Sequence, residues 1–334
     1  MTLAELFGVR YAIVQAPMAN VQSTSLAAAV SNAGALGTIA GAPLSPDALR
    51  EAIRETRAAT SEPFAVNLFA PLPRAEAPAE RIAALQAVLA PHRARAGLGT
   101  APAPRLAAWT FDEQLAVVLE ERPAVFSSTF GAVDPGPLRE AGIVVVGTAT
   151  TVEEAVVLEA SGVDAIVAQG AEAGGHRGTF LGSFGESLVP LAELVPAAAA
   201  TVSVPVLAAG GIVDGAGIAA ALAAGAQGVQ LGTAFLFTPE CATPRVWLAA
   251  LREGDTFVTP AYSGRHARAA RTPFLEELEA AGEPLPYPLQ RAVIADLARV
   301  DGYGLYLGGT GAPRARELPV AELVRTLVAE TDAA

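Results

Sequence analysis

Eight short runs of the chain are almost continuously apolar or small: residues 10 to 18 (RYAIVQAPM), 34 to 41 (GALGTIAG), 63 to 70 (PFAVNLFA), 123 to 131 (PAVFSSTFG), 142 to 149 (GIVVVGTA), 164 to 170 (DAIVAQG), 204 to 211 (VPVLAAGG) and 228 to 236 (GVQLGTAFL). None alternates strictly between apolar and polar, so each reads as a strand covered on both faces, the condition of a parallel sheet. Between them the apolar spacing turns helical, as over 45 to 60, 111 to 123 and 151 to 162. Ser45, Thr151 and Asp214 stand where an N-cap side chain would take an unpaired backbone N–H, and Thr151 and Glu154 have capping-box separation. Strand and helix alternating in this way predict an α/β fold, a (β/α)8 TIM barrel of right-handed βαβ units, with a doubly wound open sheet as the alternative.

Two stretches break the repeat. Residues 71 to 110 form an insertion after the third strand, with a helix over 78 to 90 between Pro-rich flanks. Residues 240 to 310 carry an amphipathic segment, the basic run SGRHARAARTPF, the turn EPLPYP and the Gly-rich LYLGGTG, which together predict a subdomain over the barrel mouth. The expected division is a barrel over 1–239, this appended substrate-side subdomain over 240–310, and a C-terminal helix within 311–334 that packs back on the barrel. Residues 194 to 213 lack any charge, but Pro196, Pro205, Gly210 and Gly211 break them into a helix end and a buried strand rather than a membrane span.

With 22 Lys+Arg against 34 Asp+Glu the 334-residue chain carries a net charge of -12, which argues against nucleic acid or an anionic membrane surface as partner. The single Cys241 excludes an intrachain disulfide and a thiolate metal cluster, and the early Glu5 does not suit a signal peptide, so the expected compartment is the cytoplasm. A homodimer through a barrel face is one arrangement the sequence leaves open.

In such a barrel the working residues sit at the C-terminal ends of strands. Those ends hold Gln15, Pro17, Met18, Asn67, Gln169, Glu172, His176, Gly210, Gly211, Gln230, Gly232 and Thr233. Amides and glycines dominate, with no metal-ligand motif and no facing carboxylate pair, so neither a metal site nor a glycosidase is expected. The Gly-rich turns after the seventh and eighth strands suit either tight strand-to-helix connections or a phosphate held by backbone N–H groups. Gly215-Ala-Gly217-Ile-Ala-Ala220 imitates a dinucleotide fingerprint, yet it lies beyond its strand and lacks the acidic ribose partner, so it reads as a helix start. His92 and His266 read as solvated. His176, in the polar turn AEAGGHRG, is placed either to move a proton and hold an anion or simply to bond a loop carbonyl, with Glu172 either orienting it or solvated.

Taken together, QAPMANVQSTSLAAAVSNAGALGTI (15 to 39), FAVNLFAP (64 to 71), QGAEAGGHRG (169 to 178), PVLAAGGI (205 to 212), GVQLGTAF (228 to 235), SGRHAR (263 to 268) and LPYPLQ (285 to 290) resemble the flavin-dependent nitronate monooxygenases, formerly 2-nitropropane dioxygenases. The resemblance implies FMN at the barrel mouth, with Asn67, Gln169, Gly174, Gly211, Gln230, Leu231, Gly232 and Thr233 at flavin-binding positions and Pro17 and Met18 along the ring. It makes His176 the active-site histidine. The activity it implies is oxidation of an alkyl nitronate, such as propionate 3-nitronate, by dioxygen to a carbonyl compound and nitrite, without reduced nicotinamide. Arg265 or another cation of SGRHAR could then pair with a substrate carboxylate, the alternative being that the basic run is a solvated face. The chain departs from the family pattern at Thr129, where many relatives carry His, and in LYLGGTG, where Tyr303 and Tyr306 only partly match; both fall where substrate would be chosen. The alternative function is an NAD(P)H-dependent flavin reductase acting on a quinone or an enoyl thioester.

Overall fold

A computed structural model describes residues 1–334 except Asn20 and Gln22, two positions inside the first of the family-like segments. Eight parallel strands follow the eight apolar runs: β1 (Ile13–Gln15), β2 (Gly37–Ala40), β3 (Phe64–Phe69), β4 (Val125–Thr129), β5 (Val144–Ala149), β6 (Ala165–Gln169), β8 (Val206–Ala209) and β9 (Gly228–Leu231). Between β6 and β8 lies a two-residue strand, β7 (Gly175–His176), which belongs to a second sheet. In the main sheet β1 pairs with β9, and a Val14–Leu36 bridge beside β2 brings the two ends together, which closes a barrel rather than leaving the open sheet.

Helices cover the strands, and their starts follow local chemistry. Ser45, Thr151 and Asp214 each accept the expected N-terminal N–H. The dinucleotide-like glycines open the helix Gly215–Ala223, where a Cβ on Gly215 would lie 2.2 Å from Glu330 Cβ. Gly215 is there so that the C-terminal helix Val320–Ala333 can pass close, and its N–H donates to Glu330 Oε2 at 3.0 Å. The uncharged segment around residue 200 resolves into the helix Leu191–Thr201 followed by β8, and among the described residues no helix is long and apolar enough to cross a membrane.

Inside the barrel, alternate residues of each strand face inward. At the N-terminal end the inward set is apolar and packs on Leu3 and Phe7 of the plugging helix Leu3–Phe7. Two residues further along, the inward position turns polar in five of the strands: Leu36 gives way to Thr38, Ala65 to Asn67, Val125 to Ser127, Val146 to Thr148 and Val167 to Gln169. The barrel is therefore dry at its base and hydrogen-bonding at its mouth.

The two segments that break the repeat form one lobe. The insertion helix Ala79–Arg95 contributes Leu89 to a second core with Phe274, Leu278, Leu289 and Val293 from the C-terminal part of the chain. Arg93, 3% exposed, joins the halves by donating to Asp296 Oδ2 at 2.7 Å and to the Val293 carbonyl at 2.8 Å. His92 is buried here rather than solvated, with its Nε2 3.0 Å from Glu277 Oε2. The lobe also carries β10 (Thr256–Thr259) and β11 (Ala267–Ala270), which form an antiparallel sheet with β7.

Replacing Arg93 by Met removes that joint and leaves Asp296 and a buried carbonyl without their donor. We expect a loss of about 3 kcal/mol, the lower end for breaking a buried ion pair, read from urea unfolding. A change below about 0.5 kcal/mol, the scale of an ordinary surface substitution, would show that the lobe does not depend on it.

Candidate active site

After β6 the chain passes through Gly170 to Gly178, and this turn is held from inside. The Arg177 side chain is 1% exposed, among the described residues no carboxylate is bonded to it, and it donates to the carbonyls of Gly170 at 2.6 Å, Gln169 at 2.9 Å and Ser187 at 2.6 Å. Burial, and next the charge of Arg268, lower its pKa to about 10, so it stays cationic at neutral pH. The Gln169 amide completes the clamp, donating to the His176 carbonyl at 3.0 Å and accepting from the Gly178 N–H at 2.8 Å. A Cβ on Gly174 would sit 2.4 Å from the Gly308 carbonyl carbon, so glycine at 174 lets the Gly-rich segment 308 to 311 close over the turn.

This arrangement differs from a flexible loop. With Gly175 and His176 paired to Arg268 and Ala267 of β11, the histidine backbone is part of a sheet. The His176 Nε2 lies 2.9 Å from Ser263 Oγ, and the rings of Tyr287 and Phe130 stand roughly perpendicular to it with centroids 5.5 and 6.3 Å away. Burial is the main reason its pKa falls to about 3, with the positive charges of Arg291 and Arg265 adding to it. Near neutral pH the imidazole is neutral. Glu172 does not orient it, because both its carboxylate oxygens accept from the Leu191 N–H. His266 is not a freely solvated residue either: its ring stacks on Phe184 at 3.4 Å.

His176 faces a cavity at the C-terminal end of the barrel, open to solvent at its mouth. Of the positions the sequence singled out, Pro17, Met18, Asn67, Thr129, Gln169, Gly174, Gly211, Gln230, Gly232 and Thr233 line it. Leu231 instead sends its side chain into the core between barrel and helices. Asn67 Nδ2 donates to Ser127 Oγ at 3.0 Å and to Thr129 Oγ1 at 3.3 Å, so Oδ1 is the acceptor it has left to offer, and Thr129 serves to hold that amide. Tyr303 is placed away from the cavity, packed on Phe274 and His92 in the lobe core. The Arg265 guanidinium lies 3.7 Å over the Phe130 ring and donates through Nε and one Nη to the carbonyls of Arg177 and Thr179, which holds its charge near His176.

Among the described residues the cavity lining contains no carboxylate, and no group of three His, Cys, Asp or Glu could hold a metal ion. An anion entering the cavity meets glycine turns, amides, a neutral imidazole and the field of nearby guanidinium groups. Reasoning from sequence did not single out Arg177, Ser263, Phe130 or Tyr287. Arg177 is adjacent to His176, and Ser263 opens SGRHAR, but nothing in the spacing told that one would be buried or that the other would cross the mouth.

The family model described as nitronate monooxygenase matches residues 1–330. A nitronate monooxygenase of Pseudomonas aeruginosa is 44% identical, covering 97% of each chain. The nitroalkane oxidase of Streptomyces ansochromogenes superposes with a TM-score of 0.88 at 37% identity, covering 99% of this chain and 98% of its own. FabK from Thermotoga maritima is more distant, with a TM-score of 0.77 at 30% identity, over 100% of this chain and 96% of its own.

The depressed His176 pKa has a consequence for stability. Between about 3 and the ordinary value of 6.5 the unfolded chain binds a proton at this position and the folded one does not, so folding stability falls as pH drops through that window. From pH 7 to 5 the native protein should lose about 1 to 2 kcal/mol more than a His176→Asn variant, at roughly 1.4 kcal/mol per proton per pH unit. Urea unfolding at both pH values checks this, and parallel losses in the two proteins would show that His176 titrates normally.

Proposed function

The chain belongs to the nitronate monooxygenase family, a family of oxidoreductases, and from that premise we propose that it binds FMN in the barrel mouth and oxidises alkyl nitronates with dioxygen. The products are a carbonyl compound and nitrite, and small nitronates of the propionate 3-nitronate type are the substrate class. The observation that carries the reading is a neutral histidine held at the wall of a carboxylate-free, amide-lined cavity.

The residues present suit a flavin mononucleotide. Gly210 and Gly211, at φ 133° and 72°, form the turn after β8, where their N–H groups would take the phosphate together with the turn at Gly232 and Thr233. Gly232 is informative because a Cβ there would meet only Ala16 Cβ, at 3.5 Å. The packing of the protein does not demand glycine at that position, whereas close approach of a ligand does. Asn67 and Gln230 offer uncharged amide groups to the mixed donor and acceptor edge of the ring, and Pro17 and Met18 would bound it. Gln169, whose amide is committed at both ends, and Gly174 would support the site by fixing the turn that carries His176. When bound, FMN supplies the electron acceptor and passes electrons on to dioxygen.

The protein groups bind and orient the substrate. The positive field of Arg265 and Arg291 favours an anion beside His176, and the rings of Phe130 and Tyr287 limit its size and shed water. This favours a small nitronate. The second reading is an NAD(P)H-dependent flavin reductase, with a quinone or an enoyl thioester as acceptor.

The test is aerobic turnover of FMN-loaded protein. Nitrite and carbonyl product should form from propionate 3-nitronate with no nicotinamide present, and on a neutral nitroalkane, whose α-proton must be removed, His176→Asn should keep its flavin while kcat/KM falls roughly 10²- to 10⁴-fold, the contribution of a positioned acid–base group. A variant with full turnover would remove His176 from the reaction, and product only on adding NADH or NADPH would favour the reductase.

A further inference from the structure

The histidine that belongs to the barrel is oriented by a residue that belongs to the lobe. Ser263 is 1% exposed and its Oγ lies 2.9 Å from His176 Nε2, 2.9 Å from the Arg265 carbonyl oxygen and 3.3 Å from the Arg265 N–H. A hydroxyl has one hydrogen to give and two lone pairs to accept with. The carbonyl can only accept, and among the described residues no other donor bonds it. Directing the Ser263 hydrogen to that carbonyl satisfies all three neighbours at once: Oγ then accepts from the Arg265 N–H and from His176 Nε2–H. Pointing the hydrogen at His176 instead would leave the Arg265 carbonyl without a partner, an arrangement folded proteins avoid.

The turn that presents Ser263 is not free to move. Gly264 stands at φ 85°, its N–H donates to the Pro260 carbonyl at 2.8 Å, and a Cβ there would lie 2.2 Å from the Leu285 carbonyl oxygen. Ser263 is therefore locked by its own turn and by the backbone of residues 285 to 287. Among the described residues nothing bonds the other ring nitrogen, Nδ1, and it is not among the sealed, unpartnered polar atoms, while His176 lines the cavity.

The geometry points to Ser263 as the positioning residue that fixes neutral His176 as the Nε2–H tautomer, so that the bare Nδ1 is the proton acceptor offered to substrate. This deepens the nitronate reading and rests on it for the chemistry. With a neutral nitroalkane the α C–H bond breaks, its electron pair becomes the C=N bond of the nitronate as the nitro group takes up the negative charge, and the proton goes to Nδ1. Nε2–H remains on Ser263 throughout, so the imidazolium formed keeps its acceptor. With a nitronate supplied ready-made, no proton has to leave carbon and the tautomer matters less.

Two readouts separate the inference from the function it rests on. The chain has three His residues, so 15N-histidine NMR of the flavin-loaded protein, with His176→Asn to assign the signal, reads the tautomer directly whatever the enzyme oxidises. We expect His176 to carry its proton on Nε2 in the native protein and to become a mixture of tautomers in Ser263→Ala. A native signal protonated on Nδ1 overturns the inference even if nitronate is turned over. Kinetically, the ratio of kcat on a neutral nitroalkane to kcat on its nitronate should fall at least about tenfold in Ser263→Ala, a fraction of what a positioned general base contributes, and should recover in Ser263→Thr. An unchanged ratio in a Ser263→Ala protein that keeps its flavin overturns the positioning role, and failure of both substrates in native protein refutes the function while leaving the NMR result to decide the tautomer.

Discussion

A buried guanidinium that no carboxylate among the described residues bonds is the constraint on which the site depends. Taking Arg177 out of water is costly, and the cost is offset by three backbone carbonyls that converge on it, Gln169 and Gly170 at the start of the turn and Ser187 beyond it. Those bonds fix where β6 ends and how residues 169 to 178 return across the mouth. Given that path, Gln169 can bridge His176 and Gly178, β7 can pair with β11, and the imidazole comes to rest against Ser263. The histidine is thus placed by backbone geometry before any ligand arrives, as preorganised chemistry requires.

The lobe completes this frame rather than merely covering it. Its Gly-rich segment lies on Gly174 and Gly211, and the Gly309 N–H donates to Thr233 Oγ1 at 2.9 Å, so the turns expected to hold phosphate are braced from above. Cations from three parts of the chain, Arg177, Arg265 and Arg291, gather near His176 in a protein whose net charge is -12. Net charge governs what the whole surface attracts, whereas a few guanidinium groups in a low-dielectric mouth decide what the cavity admits.

Much of the fold was legible because buried parallel strands leave a signature that needs no partner to read. Every apolar run became a strand, and Ser45, Thr151 and Asp214 capped helices as their side chains require. The change from Ala65 to Asn67 and from Val167 to Gln169 was also open to reading, since a period of two puts those pairs on one face. What the sequence hid were encounters between distant segments. Arg93 meets Asp296 and Ser263 meets His176 across long stretches of chain, and no local pattern encodes such a meeting. His92 looked solvated for the same reason: its burial depends on Phe274 and Glu277, in a segment that seemed a separate departure from the repeat.

The most direct test of the account is an anaerobic titration of the FMN-loaded protein with propionate 3-nitronate, followed by the visible flavin spectrum. The nitronate alone should bleach the flavin, and admitting air should restore the oxidised spectrum with release of nitrite. A flavin that stays oxidised under excess nitronate and bleaches only with NADH or NADPH would contradict it.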